Sequence, residues 1–162
     1  MEKPWTVVKK PGQAKAEKRE ARYVSSSTVE GKARAKGANK LKAMEIADAA
    51  WDEWIKDKVT AMKADRATVC LMFYVGGGGD LKYHSDASGY PSEIKAKLKS
   101  LRKVSGVEAD KASVCAEEQL LVDHDGNDYI LSIAFDRYGK KTACQGCRVL
   151  LKHYEIKDMW RK

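Results

Sequence analysis

The sequence predicts an α/β fold in which helices cover both faces of a mixed central sheet of four to five strands. Two apolar runs rich in strand-forming residues, at 67–75 and 129–135, are the predicted buried strands. Segments with a helical period of apolar residues precede and follow these runs, so the elements are expected to pack as three layers. The 162 residues, of which 43% are hydrophobic, suffice for one domain with a packed core.

The other elements follow from periodicity and from turn residues. Apolar residues recur at three- and four-residue steps over 39–63, which predicts an amphipathic helix with Asn39 as its N-cap. The glycines at 76–79 connect the first strand to a hairpin strand at 81–85. Three further helices and a short last strand are predicted over 91–104, 113–122, 144–153 and 156–160.

The positive charge of the chain is concentrated near its N-terminus. The net charge is +8, and residues 1–42 hold 12 of the 31 basic but only 4 of the 23 acidic residues, so the rest is formally neutral. Residues 1–37 are predicted to be a basic arm or linker and residues 38–162 the folded domain. Such a charge suits a nucleic-acid partner, although a solubilising linker explains it as well. The predicted helix 91–104 adds five basic residues that are expected on its exposed face: Lys95, Lys97, Lys99, Arg102 and Lys103.

The sequence lacks the usual signals of a membrane or secretory protein. No apolar run reaches the roughly 18–20 residues of a membrane helix, and the charged first residues contain no apolar signal-peptide core. The 4 cysteines are too few for a disulfide scaffold. We therefore expect a cytoplasmic, reducing site of action without membrane contact, while export by a route that needs no removable signal stays open.

Three of the four cysteines lie at predicted helix starts. Cys144 and Cys147 are three residues apart, so both thiols project from one face of a first helical turn and can bind one ion. Cys115 opens another helix, and its thiol converges on the pair if the two helices follow adjacent strands. Three thiolates without a fourth protein ligand are typical of a catalytic zinc site with an open position. Cys70, within a strand, is interpreted as a buried hydrophobic residue.

Glu117 is the candidate acid–base residue. It lies two residues after Cys115, which keeps it off the metal but close enough to exchange a proton with a bound water molecule. Glu118 is expected to point about 100° away around the helix, so its substitution should have a much milder effect. Arg148 directly follows the cysteine pair and is a candidate to offset the negative charge of three thiolates around a zinc ion.

Cys-Ala-Glu at 115–117 and Cys-Gln-Gly-Cys at 144–147, separated by an apolar strand, resemble the signature of the cytidine deaminase-like superfamily of zinc deaminases. The resemblance covers about residues 67–160, and the helix at 40–63 matches the first helix of that family. Ala143 departs from the family pattern, which has proline there. The resemblance implies a zinc ion held by Cys115, Cys144 and Cys147, catalysis by Glu117, and substrate contacts from Tyr83, His84 and Ala116.

Within that superfamily, the chain looks most like the nucleic-acid deaminase domains of bacterial polymorphic toxins. The Asn/Glu pair that holds the ribose in free-nucleoside deaminases has no counterpart at 83–88, and the basic helix 91–104 follows instead. This resemblance implies conversion of cytosine to uracil in DNA or RNA, expected to be single-stranded, by a toxin domain delivered into a target cell and bound by a cognate immunity protein. Two alternatives stay open: a deaminase of free cytidine or other nucleosides and nucleotides, and a non-catalytic zinc-stabilised nucleic-acid-binding module.

Overall fold

The prediction of an α/β fold with a mixed central sheet is confirmed. The computed structural model describes residues 29–62, 67–90, 94–108 and 111–159, and five strands within these ranges form one sheet. The strands are β1 Val69–Val75, β2 Leu81–Ala87, β3 Leu131–Asp136, β4 Gly139–Lys141 and β5 Lys157–Asp158. The helices are α1 Val29–Ala50, α2 Lys56–Ala61, α3 Lys95–Ser105, α4 Ala116–Asp123 and α5 Gln145–His153, with a π-helical turn Trp51–Ile55 and a 3-10 turn Gly126–Asp128.

The sheet has β1 at its centre. The strand order is β2-β1-β3-β4, and all neighbours in this order are antiparallel. The short strand β5 pairs with β3 in parallel, at Leu131 and Ser132. Phe73 of β1 is therefore flanked by Tyr83 of β2 and by Leu131 of β3. The single parallel pair makes the sheet mixed, as the sequence predicts.

The alternation of side chains along β1 divides the core into two halves. Val69, Leu71 and Phe73 face α1 and α2, whereas Cys70 and Met72 face a second core built with α3, α4 and α5. Successive strand residues point to opposite faces, so a strand buried on both sides serves two cores at once. Helices therefore lie on both faces of the sheet, and the three helices that follow β2 share the face of Cys70.

The first helix starts earlier than the sequence predicts. It begins at Val29, so Asn39 lies inside the helix and the prediction that it is an N-cap is wrong. Residues 29–37 of the predicted arm are helical, while residues 1–28 lie outside the described ranges. This stretch has no apolar stripe to reveal it, although its Ala, Lys, Arg and Glu residues favour helix. The periodicity of the apolar residues also does not predict the π-helical turn at Trp51–Ile55.

Further comparisons with the predicted elements concern α3 and the segment before α5. The described part of α3 begins at Lys95, and the predicted start at Pro91 or Ser92 falls outside the described residues. Four of its five basic residues are exposed as expected, but Arg102 is buried, so that part of the prediction is wrong. The segment 136–143, between the predicted strand 129–135 and the predicted helix 144–153, contains the short strand β4. Among the described helices, none has the length and apolar character needed to cross a membrane.

Candidate metal centre

Two helix N-termini bring three cysteines together. Cys115 and Cys144 are the N-cap residues of α4 and α5, and Cys147 lies in the first turn of α5. Their sulfur atoms all lie within 4.8 Å of one another, and the Sγ atoms of Cys115 and Cys144 are 3.7 Å apart. Two thiolates on a tetrahedral zinc ion, each at about 2.3 Å, are separated by about 3.8 Å. The predicted convergence of the three thiols is confirmed, and the cluster can hold a metal ion.

The three thiols influence one another strongly. Hydrogen bonds from Cys115 and Cys147 lower the pKa of Cys144 to about 2, and the bond with Cys144 raises the pKa of Cys115 to about 12. The pKa of Cys147 is raised as well, by its hydrogen bonds to the other two thiols. A metal ion requires all three as thiolates, so its binding releases protons. Cys147 is buried, Cys115 is half-buried and Cys144 is exposed, so the cluster opens to solvent beside Cys144.

Glu117 lies in the first turn of α4, next to the fully buried Ala116, and is itself only 3% exposed. Burial raises its pKa to about 7, and the negative charge of Cys144 contributes in the same direction. The charge of Glu117 in turn raises the pKa of Cys147. The carboxyl group and the thiols therefore influence each other's protonation. A buried carboxyl group with a pKa near neutrality can both accept and donate a proton.

Glu118 is buried in an ion pair with Arg102. Its two carboxylate oxygens accept hydrogen bonds from Nε and Nη2 of Arg102, at 2.9 and 3.0 Å. The carboxylate also accepts the backbone N–H of Cys115 at 2.9 Å. Glu118 therefore has a structural role that the sequence does not reveal, because its loss would leave a buried guanidinium without its partner. The expectation that its substitution affects turnover much less than that of Glu117 stays a prediction.

Arg102 also fixes the loop that leads to the first cysteine. Its Nη1 and Nη2 donate to the carbonyl oxygens of Lys111 and Ser113, each at 2.7 Å, and Nη1 also lies 3.3 Å from that of Glu108. The hydrogen bond with Glu118 raises the pKa of Arg102, and the thiolate charge of Cys115 has the same effect. The guanidinium near the thiols is therefore that of Arg102, which the sequence pattern had predicted to lie on the exposed face of its helix.

A signal for Arg102 was present in the sequence. The residue lies at the buried stripe of α3, one position after Leu101 and four after Leu98. A charged residue on an apolar helix face needs a buried partner. Arg148, the sequence-based candidate for this role, is instead exposed on α5, where its charge acts on the carboxyl group of Asp158.

Tyr83 is not brought to the thiols. Its ring packs against Phe73, with ring centroids 5.7 Å apart, in the core half formed with α1 and α2. That half lies on the face of the sheet opposite to Cys115 and Ala116. The register of β2 decides this outcome, because neighbouring residues of a strand point to opposite faces.

His84 lies on the same face as the thiols but at the far end of α4. Its ring stacks on His124, with centroids 3.9 Å apart, and its Nδ1 is 2.8 Å from the hydroxyl oxygen of Tyr129. His124 follows the last residue of α4, whereas Cys115 precedes the first of its 8 residues. Eight residues of α-helix span about 12 Å. The structure therefore places His84 in a separate aromatic cluster, away from the three cysteines.

Gly146, between the two cysteines of α5, lies against the loop after α3. A Cβ atom on Gly146 would be 2.6 Å from Cγ2 of Val107, which is closer than real Cβ contacts. The first turn of α5 therefore packs directly on the segment that Arg102 holds. Glycine at this position lets the first turn of α5, which contains Cys147, approach the loop after α3.

No protein-family model, curated protein or solved structure matches this chain.

We expect protein purified without chelator to carry one metal ion per chain, measured by elemental analysis. The variant Cys144→Ser/Cys147→Ser should lose it, because one thiol cannot replace three. Cys70→Ala is the matched control and should keep the metal, since Cys70 is buried and bonded to Ser132 at 3.3 Å. Absence of metal from the wild type, or full metal content in the double variant, would refute the assignment.

Arg102→Met should lower the free energy of unfolding by about 3–5 kcal/mol, because it leaves a buried carboxylate without its partner. Arg102→Met/Glu118→Gln should recover part of that loss, because the glutamine oxygen can still accept the Cys115 N–H. Urea unfolding measures both variants against Lys103→Met, which changes an exposed neighbour. Equal stability of the Arg102 and Lys103 variants would contradict the role of the ion pair.

Gly146→Ala should weaken metal binding, because the added methyl group pushes the first turn of α5 away from Val107. Competition with a chromogenic chelator measures the effect as an increased dissociation constant. Gln145→Ala, an exposed change in the same turn, should leave binding unchanged. Val107→Ala/Gly146→Ala should restore much of the affinity, and failure of this rescue would show that the contact with Val107 is not the cause.

Proposed function

We propose that the protein is a zinc-dependent hydrolytic deaminase that converts cytosine to uracil in a nucleic acid. The observation that carries this proposal is the buried carboxyl group of Glu117 in the first turn of α4, the helix that begins at Cys115 of the three-thiol cluster. A zinc site that only stabilises a fold is closed by four protein ligands and needs no carboxyl group beside it. Three cysteines leave one coordination position open for chemistry, and thiolates are ligands that zinc accepts readily.

Cys115, Cys144 and Cys147 would hold the zinc ion, which would supply a water molecule activated for attack on the C4 carbon of cytosine. Glu117 then serves as the proton carrier. It would accept a proton from the attacking water and deliver it to the ring nitrogen N3. It would then carry the proton of the new C4 hydroxyl group to the amino group, so that the C4–N bond breaks, ammonia leaves and the C4 carbonyl of uracil forms. Arg102 contributes by holding the segment before Cys115 and by supplying positive charge beside the thiolates.

The resemblance of the Cys-Ala-Glu and Cys-Gln-Gly-Cys motifs to the cytidine deaminase-like superfamily supports the same reaction. The absence of a recognisable ribose-binding Asn/Glu pair at 83–88 favours a polynucleotide over a free nucleoside. Exposed lysines on α3 add a surface that suits phosphates: Lys95, Lys97, Lys99 and Lys103. A toxin domain of this kind would meet its substrate inside a target cell.

Incubation of the pure protein with single-stranded DNA, RNA, duplex DNA and free cytidine tests the proposal, with uracil or uridine formation measured in each case. We expect a polynucleotide to be deaminated far better than free cytidine. A preference for free cytidine would establish the nucleoside deaminase instead. No deamination of any substrate by the metal-loaded protein would overturn the proposal.

Glu117→Gln should reduce deamination by at least about 10²–10⁴-fold, because glutamine cannot transfer the protons. The metal content and the unfolding midpoint should stay close to those of the wild type, since the amide matches the carboxyl group in shape. Glu45→Gln, an exposed change on α1, is the matched control and should keep full activity. Retained activity in Glu117→Gln, or loss of its metal, would show that Glu117 has another role.

A further inference from the structure

A basic groove lies along α5 and β5, and Arg148 is one of its lining residues. It has a volume of about 420 Å³. Its polar lining consists of four cations and two carboxylates, named here together as the basic groove: Lys36, Arg148, Lys152, Lys157, Glu155 and Asp158. The remainder of the lining is aliphatic. The cations outnumber the carboxylates, so the groove attracts anions.

Two residues of the basic groove neighbour residues of the metal centre. Arg148 directly follows the ligand candidate Cys147 on α5. The carboxyl group of Asp158 accepts a hydrogen bond from the backbone N–H of Ala143, the residue before Cys144. The Arg148 and Asp158 end of the groove is therefore the end nearer to the start of α5.

The cations of the basic groove are available to a partner. The side chains of Arg148, Lys152 and Lys157 are exposed. Arg148 and Lys152 are four residues apart on α5, so their Cβ atoms are about 5–6 Å apart on one face. Lys36 of α1 donates to the carbonyl oxygen of Glu155 at 3.0 Å and so joins the N-terminal helix to this surface.

We propose that the basic groove binds the sugar-phosphate backbone of a single-stranded nucleic acid whose base enters the metal centre. This inference rests on the proposed function and names the surface that the substrate occupies. Lysine and arginine side chains beside aliphatic ones contact phosphates without reading bases, so binding is largely independent of sequence and weakens with salt. The exposed lysines of α3 form the competing surface.

Fluorescence anisotropy with a labelled oligothymidylate of about 20 nucleotides tests the proposal on the metal-loaded protein, over about 50–200 mM salt. Lys152→Gln/Lys157→Gln should raise the dissociation constant roughly tenfold and reduce the slope of log affinity against log salt by about 1.4, for two lost phosphate contacts. Lys56→Gln/Lys58→Gln on α2 removes the same charge from the opposite face of the sheet and should have little effect.

Four results would overturn the assignment of the groove, and a fifth would overturn only the proposed function. A loss as large in the α2 pair would show that only net charge matters, and a larger loss in Lys97→Gln/Lys99→Gln would assign the strand to α3. Displacement of the oligonucleotide by polyglutamate at equal charge would show that the groove suits an acidic protein partner. Normal oligonucleotide binding without uracil formation would overturn the proposed function alone. Uracil formation with unchanged binding in Lys152→Gln/Lys157→Gln would overturn the groove alone.

Discussion

The buried ion pair between Arg102 and Glu118 is the contact on which the candidate site depends. It joins α3 to α4, and through three carbonyl oxygens and the Cys115 N–H it also fixes the segment between these helices. Removing two charges from water is costly, so a buried pair adds little net stability, yet breaking it is strongly destabilising. We interpret this pair as a device that fixes geometry, since it holds the first cysteine in place before any metal binds.

The cysteine pair of α5 meets Cys115 because α4 and α5 pack on the same face of the sheet. Their N-termini lie side by side, and the close approach of Gly146 to Val107 links the start of α5 to the segment that Arg102 holds. A site assembled in this way is pre-organised, which is what proton transfer by a side chain such as Glu117 requires. The exposed side of Cys144 leaves the cluster open to solvent.

Charge is distributed unevenly over a region whose formal charge is zero. Beyond residue 42 the acidic and basic residues balance, but the cations of α5 and β5 gather beside Arg148. The net charge of the chain indicates only the N-terminal arm as a surface that attracts anions. Local concentration of one sign is what attracts a polyanion to a specific surface, because fields of distant charges are screened within about 10 Å at ordinary salt.

Most strands of the sheet, the convergence of the three thiols and the position of Glu117 in a first helical turn could be predicted from the sequence. Strand formation, helical period and the position of a residue in a first turn are local properties, and the spacing of Cys144 and Cys147 already places both on one helical turn. The ion pair between Arg102 and Glu118, which are 16 residues apart, depends on how two helices pack. The tertiary structure also determines that Tyr83 faces away from the thiols, because the face that a side chain occupies depends on how its strand is paired and packed. Ion pairs between helices, and the face on which a strand residue lies, are set by the packing of distant segments, which no local pattern specifies.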